Sequence, residues 1–321
     1  MDFAPSVYEH CAALIGRSPW DVSRDADLLL AGQAEAFRRY GHAPVVVGVD
    51  IYNLEAEAYG ATVAAPTGNG IPAIAEPICD GIADLAALAP LDVSAGRIPM
   101  VIGVGRRLKQ ALPEADVRIP VSGPFSIAAN LMGFEALLCS AMLDPDPTRD
   151  ALTALAAGQE RFCRAVRDAG LDVAFFESAA APPLLSPAQF RQVELPALKE
   201  TIDRAASVLG HPVPCVIGGD TAPILPAILE TGTTYVCCPA ETDQAAFLEI
   251  MRDHPDVMVR VNMSSGIVSA GNWDSLRAEV DRVLALTADR KKACLGTGAL
   301  PYETSPETVE RIKGYVARVT G

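Results

Sequence analysis

Aromatic residues are scarce in this chain, at 6% of 321 residues, and basic residues are outnumbered 26 to 40, for a net charge of −14. An acidic surface of that kind repels phosphate backbones, so nucleic acid is excluded as a partner. There is no uncharged apolar stretch of ~18 residues and no leader-like N-terminus, so no membrane association is expected. The eight cysteines are scattered (Cys11, Cys79, Cys139, Cys163, Cys215, Cys237, Cys238, Cys294), with no CxxC pair and no small-domain disulfide spacing. That usage fits a cytoplasmic protein with reduced thiols, most of them packed as small apolar side chains. A three-glycine dinucleotide fingerprint is missing too, which removes the main support for a Rossmann reading.

What is present is aliphatic. Hydrophobic residues reach 50%, enough to fill a large core with Ala, Val, Leu and Ile. Seven apolar runs read as strands: 43–51, 117–124, 171–178, 212–219, 233–239, 256–263 and 292–298. They look continuous rather than alternating, as parallel strands covered on both faces do. Amphipathic helical segments lie between them, near 25–39, 126–143, 148–168, 188–208, 221–231, 242–253, 273–288 and 306–319, several opening on Ser-Pro or Thr signals. The alternation predicts a single-domain α/β fold, a (β/α)₈ TIM barrel, with residues 1–40 as an N-terminal helical extension. The eighth strand, or a hairpin, is expected within 61–79, around PTGNGIP.

Chemistry in such a barrel sits where strands end. That rule selects Asp50, Ser122-Gly123-Pro124, Glu177-Ser178, Gly218-Gly219-Asp220, Cys237-Cys238, Asn262 and Gly296-Thr297-Gly298. Glu55 and Glu57 follow Asp50 closely, and such crowding raises a neighbouring carboxyl pKa. A turn carrying Gly and Pro into a helix offers free N–H groups to an anion or carbonyl. Cys237 and Cys238 are adjacent on one strand, so only one of them can face the barrel interior. His211 and Cys215 fall before and within their strand, a poor arrangement for one zinc ion.

Five stretches carry a resemblance: VVVGVDIYNLEAEAYGA (45–61), VSGPFSIAANLMG (121–133), FFESAAAPPLLSPAQFRQVELPALKETI (175–202), VIGGDTAPILPAILETG (216–232) and CLGTGALPYETSPETVERI (294–312). In them the chain resembles the uroporphyrinogen decarboxylase superfamily, and its cobalamin-dependent methyltransferase branch more than the decarboxylases. The resemblance implies a barrel with its site at the C-terminal mouth. It also implies a zinc site, His-x-Cys plus a last-loop Cys, but here those positions are Val216, Gly218 and Ala299. The decarboxylases' last-loop His falls on Thr297, and their Arg-rich N-terminal segment is not matched; only Asp50 aligns with their pyrrole-binding aspartate.

The expectation is therefore a methyltransferase that moves a methyl group between a small methylated substrate and cobalamin, free or on a separate corrinoid protein, without that zinc site. Its catalytic residues would be Glu177, Asp50 and Asp220. The cofactor-binding residues would be Gly123, Pro124, Phe125, Ser126, Gly218, Gly219, Gly296, Thr297 and Gly298. An alternative metal set would use Cys238, Glu241 and Cys294 with Asp220. The other readings are a non-catalytic corrinoid- or tetrapyrrole-binding accessory barrel and a uroporphyrinogen decarboxylase. A monomer or homodimer is expected.

Overall fold

Valine-rich runs pair edge to edge wherever a helix follows to cover them, and ten strands result. They are β1 (Asp2–Ser6), β2 (Val45–Val46), β3 (Val63–Ala64), β4 (Ala73–Ile74), β5 (Val117–Ser122), β6 (Asp172–Phe176), β7 (Cys215–Val216), β8 (Tyr235–Cys238), β9 (Met258–Met263) and β10 (Ala293–Ala299). The computed structural model describes residues 1–321. Eight strands are parallel and form two four-stranded sheets, ordered β1-β10-β9-β8 and β2-β5-β6-β7. The sheets are the two halves of a (β/α)₈ barrel. Between β7 and β8 the Thr233 hydroxyl bridges the halves, accepting from the Cys215 N–H and donating to the Val213 carbonyl, both at 3.0 Å.

All seven expected strands are present, but the eighth is not where it was sought. Residues 63–64 and 73–74 form an antiparallel hairpin, Val63 opposite Ile74 and Ala64 opposite Ala73. The missing strand is β1, at the very start of the chain. Residues 1–40 are therefore more than a helical extension: helices at 10–13, 19–24 and 26–40 follow a barrel strand. Ser18 and Asp25 cap the second and third of these helices, and Gly41, at φ +60°, ends the third in a left-handed turn. The segment expected as one helix at 126–143 is two, 124–132 and 134–143, bent by 118° at Gly133. No single helix is long and apolar enough to cross a membrane.

Strand alternation sorts the side chains. Val45, Val47, Val117, Ile119, Val121, Val173, Phe175, Val236, Val259 and Val261 point outward into a core of 77 buried residues beneath the helices. Inward, the two halves differ. The β2–β6–β7 side carries a small apolar cluster of Val46, Ile51, Ala174 and Phe176, with Val216 against it. The β8–β9–β10 side carries Tyr235, Cys237, Arg260 and Cys294, which line cavities instead of filling them. Most barrels of this kind pack the interior solid with branched aliphatic side chains. This one keeps a cavity of about 730 Å³ among the strand starts and another of about 450 Å³ at the strand ends.

Candidate active site

The cavity of about 450 Å³ opens at the C-terminal mouth and sits among the strand exits. Asp50, Gly218, Gly219, Gly298 and Glu241 line it, as do Val216 and Ala299. The three positions at which the resemblance places zinc ligands thus all line this cavity, and they offer an isopropyl group, a hydrogen and a methyl.

Asp50 reaches the cavity, but not as a free carboxyl. Arg97 Nη1 and Nη2 each donate to one of its oxygens at 2.7 Å, and Asn53 Nδ2 donates at 3.0 Å. Arg97 also pairs with Glu57 at 2.6 Å. The crowding expected from Glu55 and Glu57 is thereby resolved. Glu57 goes to Arg97 and Arg24, while Glu55 turns away to receive the Ser122 N–H and hydroxyl at 2.7 and 2.9 Å. Burial pushes the Glu55 carboxyl up to about 7.

Glu177 does not line the cavity. It is fully buried behind the wall, accepting from the Ser126 hydroxyl at 2.5 Å, the Ser126 N–H at 3.1 Å and the Ala179 N–H at 3.2 Å. Gly123 is what lets it in, since a Cβ there would come 2.7 Å from the Glu177 Cβ. The Gly123-Pro124-Phe125-Ser126 turn therefore directs its Ser126 N–H to a protein carboxyl and its Gly123 N–H to the Phe176 carbonyl, and none of its four residues lines the mouth. Glu194, which the sequence reading missed, lies beside Glu177 with no other hydrogen-bond partner on either oxygen. Burial pushes Glu177 up to about 7, and burial plus the Glu177 charge pushes Glu194 well above the carboxylate range. Their raised pKa values make the two carboxyls an electrostatically coupled pair. They tie the end of β6 to the start of helix 124–132 and to a π-helical turn at 190–194.

Other expected site residues also stand back. Asp220 accepts from the Thr242 hydroxyl at 2.7 Å in the loop after β7 and does not line the mouth. Thr297 joins β10 to β1 through the Ser6 N–H, at 3.2 Å. Gly296 faces the barrel interior, where a Cβ would come 2.6 Å from Arg260 and Asn262. The alternative metal set does not converge: Cys238 points out into the core, Glu241 stands at the mouth, and Cys294 lies among the strand starts. No group of three His, Cys, Asp or Glu side chains is placed to hold a metal ion. Of the paired cysteines it is Cys237 that faces inward.

The expected Ser178, Cys237 and Asn262 line the mouth, joined by Tyr52 and Arg260, which the strand-exit rule does not select. The Tyr52 and Ser178 hydroxyls share a hydrogen bond of 2.7 Å on one wall. Burial raises the Tyr52 phenol far above its usual value, so it keeps its proton. Arg260 and Asn262 form the floor with Cys237, their Nη2 and Nδ2 donating to its sulfur at 3.6 and 3.3 Å. A signal for Arg260 is present: in VMVRVNM it stands two residues before Asn262, and the pair breaks an apolar strand on one face.

The family model described as Uroporphyrinogen decarboxylase (URO-D) matches residues 5–319, and the chain belongs to that family. Among solved structures it is similar to a methyltransferase from Methanosarcina mazei, at 20% sequence identity and a TM-score of 0.81, over 99% of this chain and 93% of that one. At that identity the likeness speaks to the fold. No curated protein matches the sequence.

Proposed function

We propose that this barrel is a methyltransferase that works with a corrinoid and holds a small methylated substrate in the mouth cavity. The observation that carries the reading is the cavity itself, about 450 Å³, walled by the family's loop positions and by hydrogen-bonding groups from four different strand ends. That volume lies low in the ~300–1,000 Å³ range of small-molecule sites. It suits a compact substrate and cannot enclose a corrin macrocycle as well. A corrinoid, free or presented by a partner protein, would meet the substrate across the opening, where Ile71, Pro72 and Ile74 offer an apolar rim and Ile71 is 46% exposed. When bound, it supplies a strong nucleophile or a methyl carrier, so a protein thiolate is not required at Val216, Gly218 or Ala299.

The chain's own work is placement and proton supply. Tyr52 and Ser178 offer hydroxyl donors to a heteroatom on the substrate. With Glu177 and Asp220 behind the wall and Asp50 held by Arg97, the carboxyl able to exchange a proton with a leaving group is Glu241, which lines the cavity and has no hydrogen-bond or ion-pair partner in the protein. Uroporphyrinogen fits poorly: apart from Arg260 on the floor, the mouth-lining residues include no cation to meet its many carboxylates.

The test is methyl transfer between reduced cobalamin and a panel of methylated oxygen, nitrogen and sulfur compounds, followed by absorbance. Turnover with one of them, and a drop of about 10²-fold or more in kcat for Glu241→Gln with folding intact, is the expected result. Cobalamin binding without turnover on any compound would favour the accessory barrel. Conversion of uroporphyrinogen would overturn the reading altogether.

A further inference from the structure

The floor of the mouth cavity holds a cation without an anion. Arg260 is 7% exposed, Nε has no partner, and its one polar contact is the Cys237 sulfur, 3.6 Å from Nη2. The other deeply buried guanidinium, Arg97, sits between two carboxylates. Leaving a buried ion unpaired costs several kcal/mol, so an arrangement that does so is waiting for a counter-charge. No carboxylate of the protein supplies one: apart from the Cys237 sulfur, Arg260 has no hydrogen-bond or ion-pair partner. Burial pushes the Tyr8 phenol up to about 12, the Cys294 thiol up to about 11 and the Tyr235 phenol higher still, which leaves all three neutral near pH 7.

The site is built as well as empty of charge. Arg260 lines both the mouth cavity and the lower cavity. Gly296 clears the space that the Arg260 and Asn262 side chains occupy. Beside the guanidinium the Asn262 Oδ1, on a side chain 5% exposed, also lacks a partner. A fork of N–H donors next to one free acceptor matches a carboxylate whose neighbouring atom carries an O–H or N–H.

We infer that the ligand of this barrel is a small carboxylic acid, its carboxylate paired with Arg260 at the cavity floor and its hydroxyl or amino group donating to Asn262. The inference rests on the methyltransferase reading only in calling that ligand a substrate. Binding is measured without any methyl donor, which separates the two. The probes are acetate, glycolate and acetamide, titrated at constant ionic strength into protein carrying ¹⁵N-labelled arginine, with the Arg260 Nε–H signal assigned from Arg260→Lys. Acetate and glycolate are expected to shift that signal saturably, glycolate at the lower concentration, and acetamide to leave it in place. Arg260→Lys, which keeps the charge and loses the fork, is expected to weaken glycolate binding about tenfold or more by calorimetry. An unmoved Arg260 signal with both acids, or equal affinity in Arg260→Lys, overturns the proposal. So does acetate binding that occurs only in Cys237→Ala, which would assign the guanidinium to the sulfur. Carboxylate binding without methyl transfer would leave this site standing and remove the reaction.

Discussion

A hydrogen atom at position 296 decides what can stand at the barrel floor. β10 runs beside β9, with Gly296 in register with Asn262, and the absent side chain is the space into which Arg260 and Asn262 fold. Gly296→Ala would bring a Cβ 2.6 Å from the Arg260 Cγ and Cδ and from the Asn262 Oδ1. Neither contact involves the free end of the long side chain, so both neighbours must move. Overpacking of this sort costs about 1–3 kcal/mol, and urea unfolding should show a loss in that range together with a displaced Arg260 Nε–H signal. Unchanged stability and an unmoved signal would mean that the floor is loosely packed. Single residues are also where the sequence misleads most. Glu177 and Asp50 are conspicuous in the chain as acids ending apolar runs, but what occupies them, Ser126 with Glu194 and Arg97, is distant in sequence. Arg260 lies inside an apolar run, so the rule that places chemistry at strand exits does not select it.

Elements meet at buried carboxyls in this molecule, and that gives it a distinct response to pH. The Glu177–Glu194 pair joins β6, helix 124–132 and the π-helical turn at 190–194. Both groups have folded-state pKa values raised above the ordinary 4.5. Their contribution is therefore complete below about 4.5 and is lost as pH climbs through about 7, at up to ~1.4 kcal/mol per pH unit for each proton involved. His10 and His42 act in the opposite sense: burial lowers both to about 4, so they destabilise only as pH falls below 6.5. Between pH 6.5 and about 8 the histidines are silent, and Glu55, also raised to about 7, contributes equally to parent and variant, so their difference reports the pair. There, Glu194→Gln should fall off less steeply than the parent protein, by roughly the slope of one proton, in denaturant midpoints taken across the range. Parallel curves would show that Glu194 titrates normally. At this scale the sequence was a good guide where one physical cause acted alone. The valine-rich strands and the capped helices lie where their patterns put them. β1 was lost because DFAPS is short, carries Pro5 and has no run of β-branched residues to announce it; pairing with β10 makes it a strand. At 63–74 local composition suits a hairpin or a barrel strand equally, and the chain forms the hairpin.

Over the whole molecule the barrel behaves as two sheets of four rather than one closed ring. The β1–β2 boundary has no ladder hydrogen bonds, and the residues on both its sides, Pro5, Ser6, Pro44 and Val46 among them, line the lower cavity. Amides that face a seam without a ladder open more readily than those inside a sheet. Hydrogen exchange should therefore run faster in peptides covering 44–48 and 212–217 than in those covering 117–122 and 258–263. Uniform protection around the barrel would show that the boundaries are sealed by other means.

The pairing of β1 with β10 has a further consequence, for the order of events during synthesis. Asp2 lies against Cys294, and the Ser6 N–H is fixed by Thr297, 291 residues later. At ~5–20 residues per second a ribosome needs roughly fifteen seconds to a minute to deliver that partner. Through that interval the first strand has nothing to sit against, while the sheet from β2 to β7 is completed once residue 216 is made, well before β10. The first barrel strand to be made is among the last to be placed, and a nascent chain interrupted before its final loop would carry a finished half and a loose leading end.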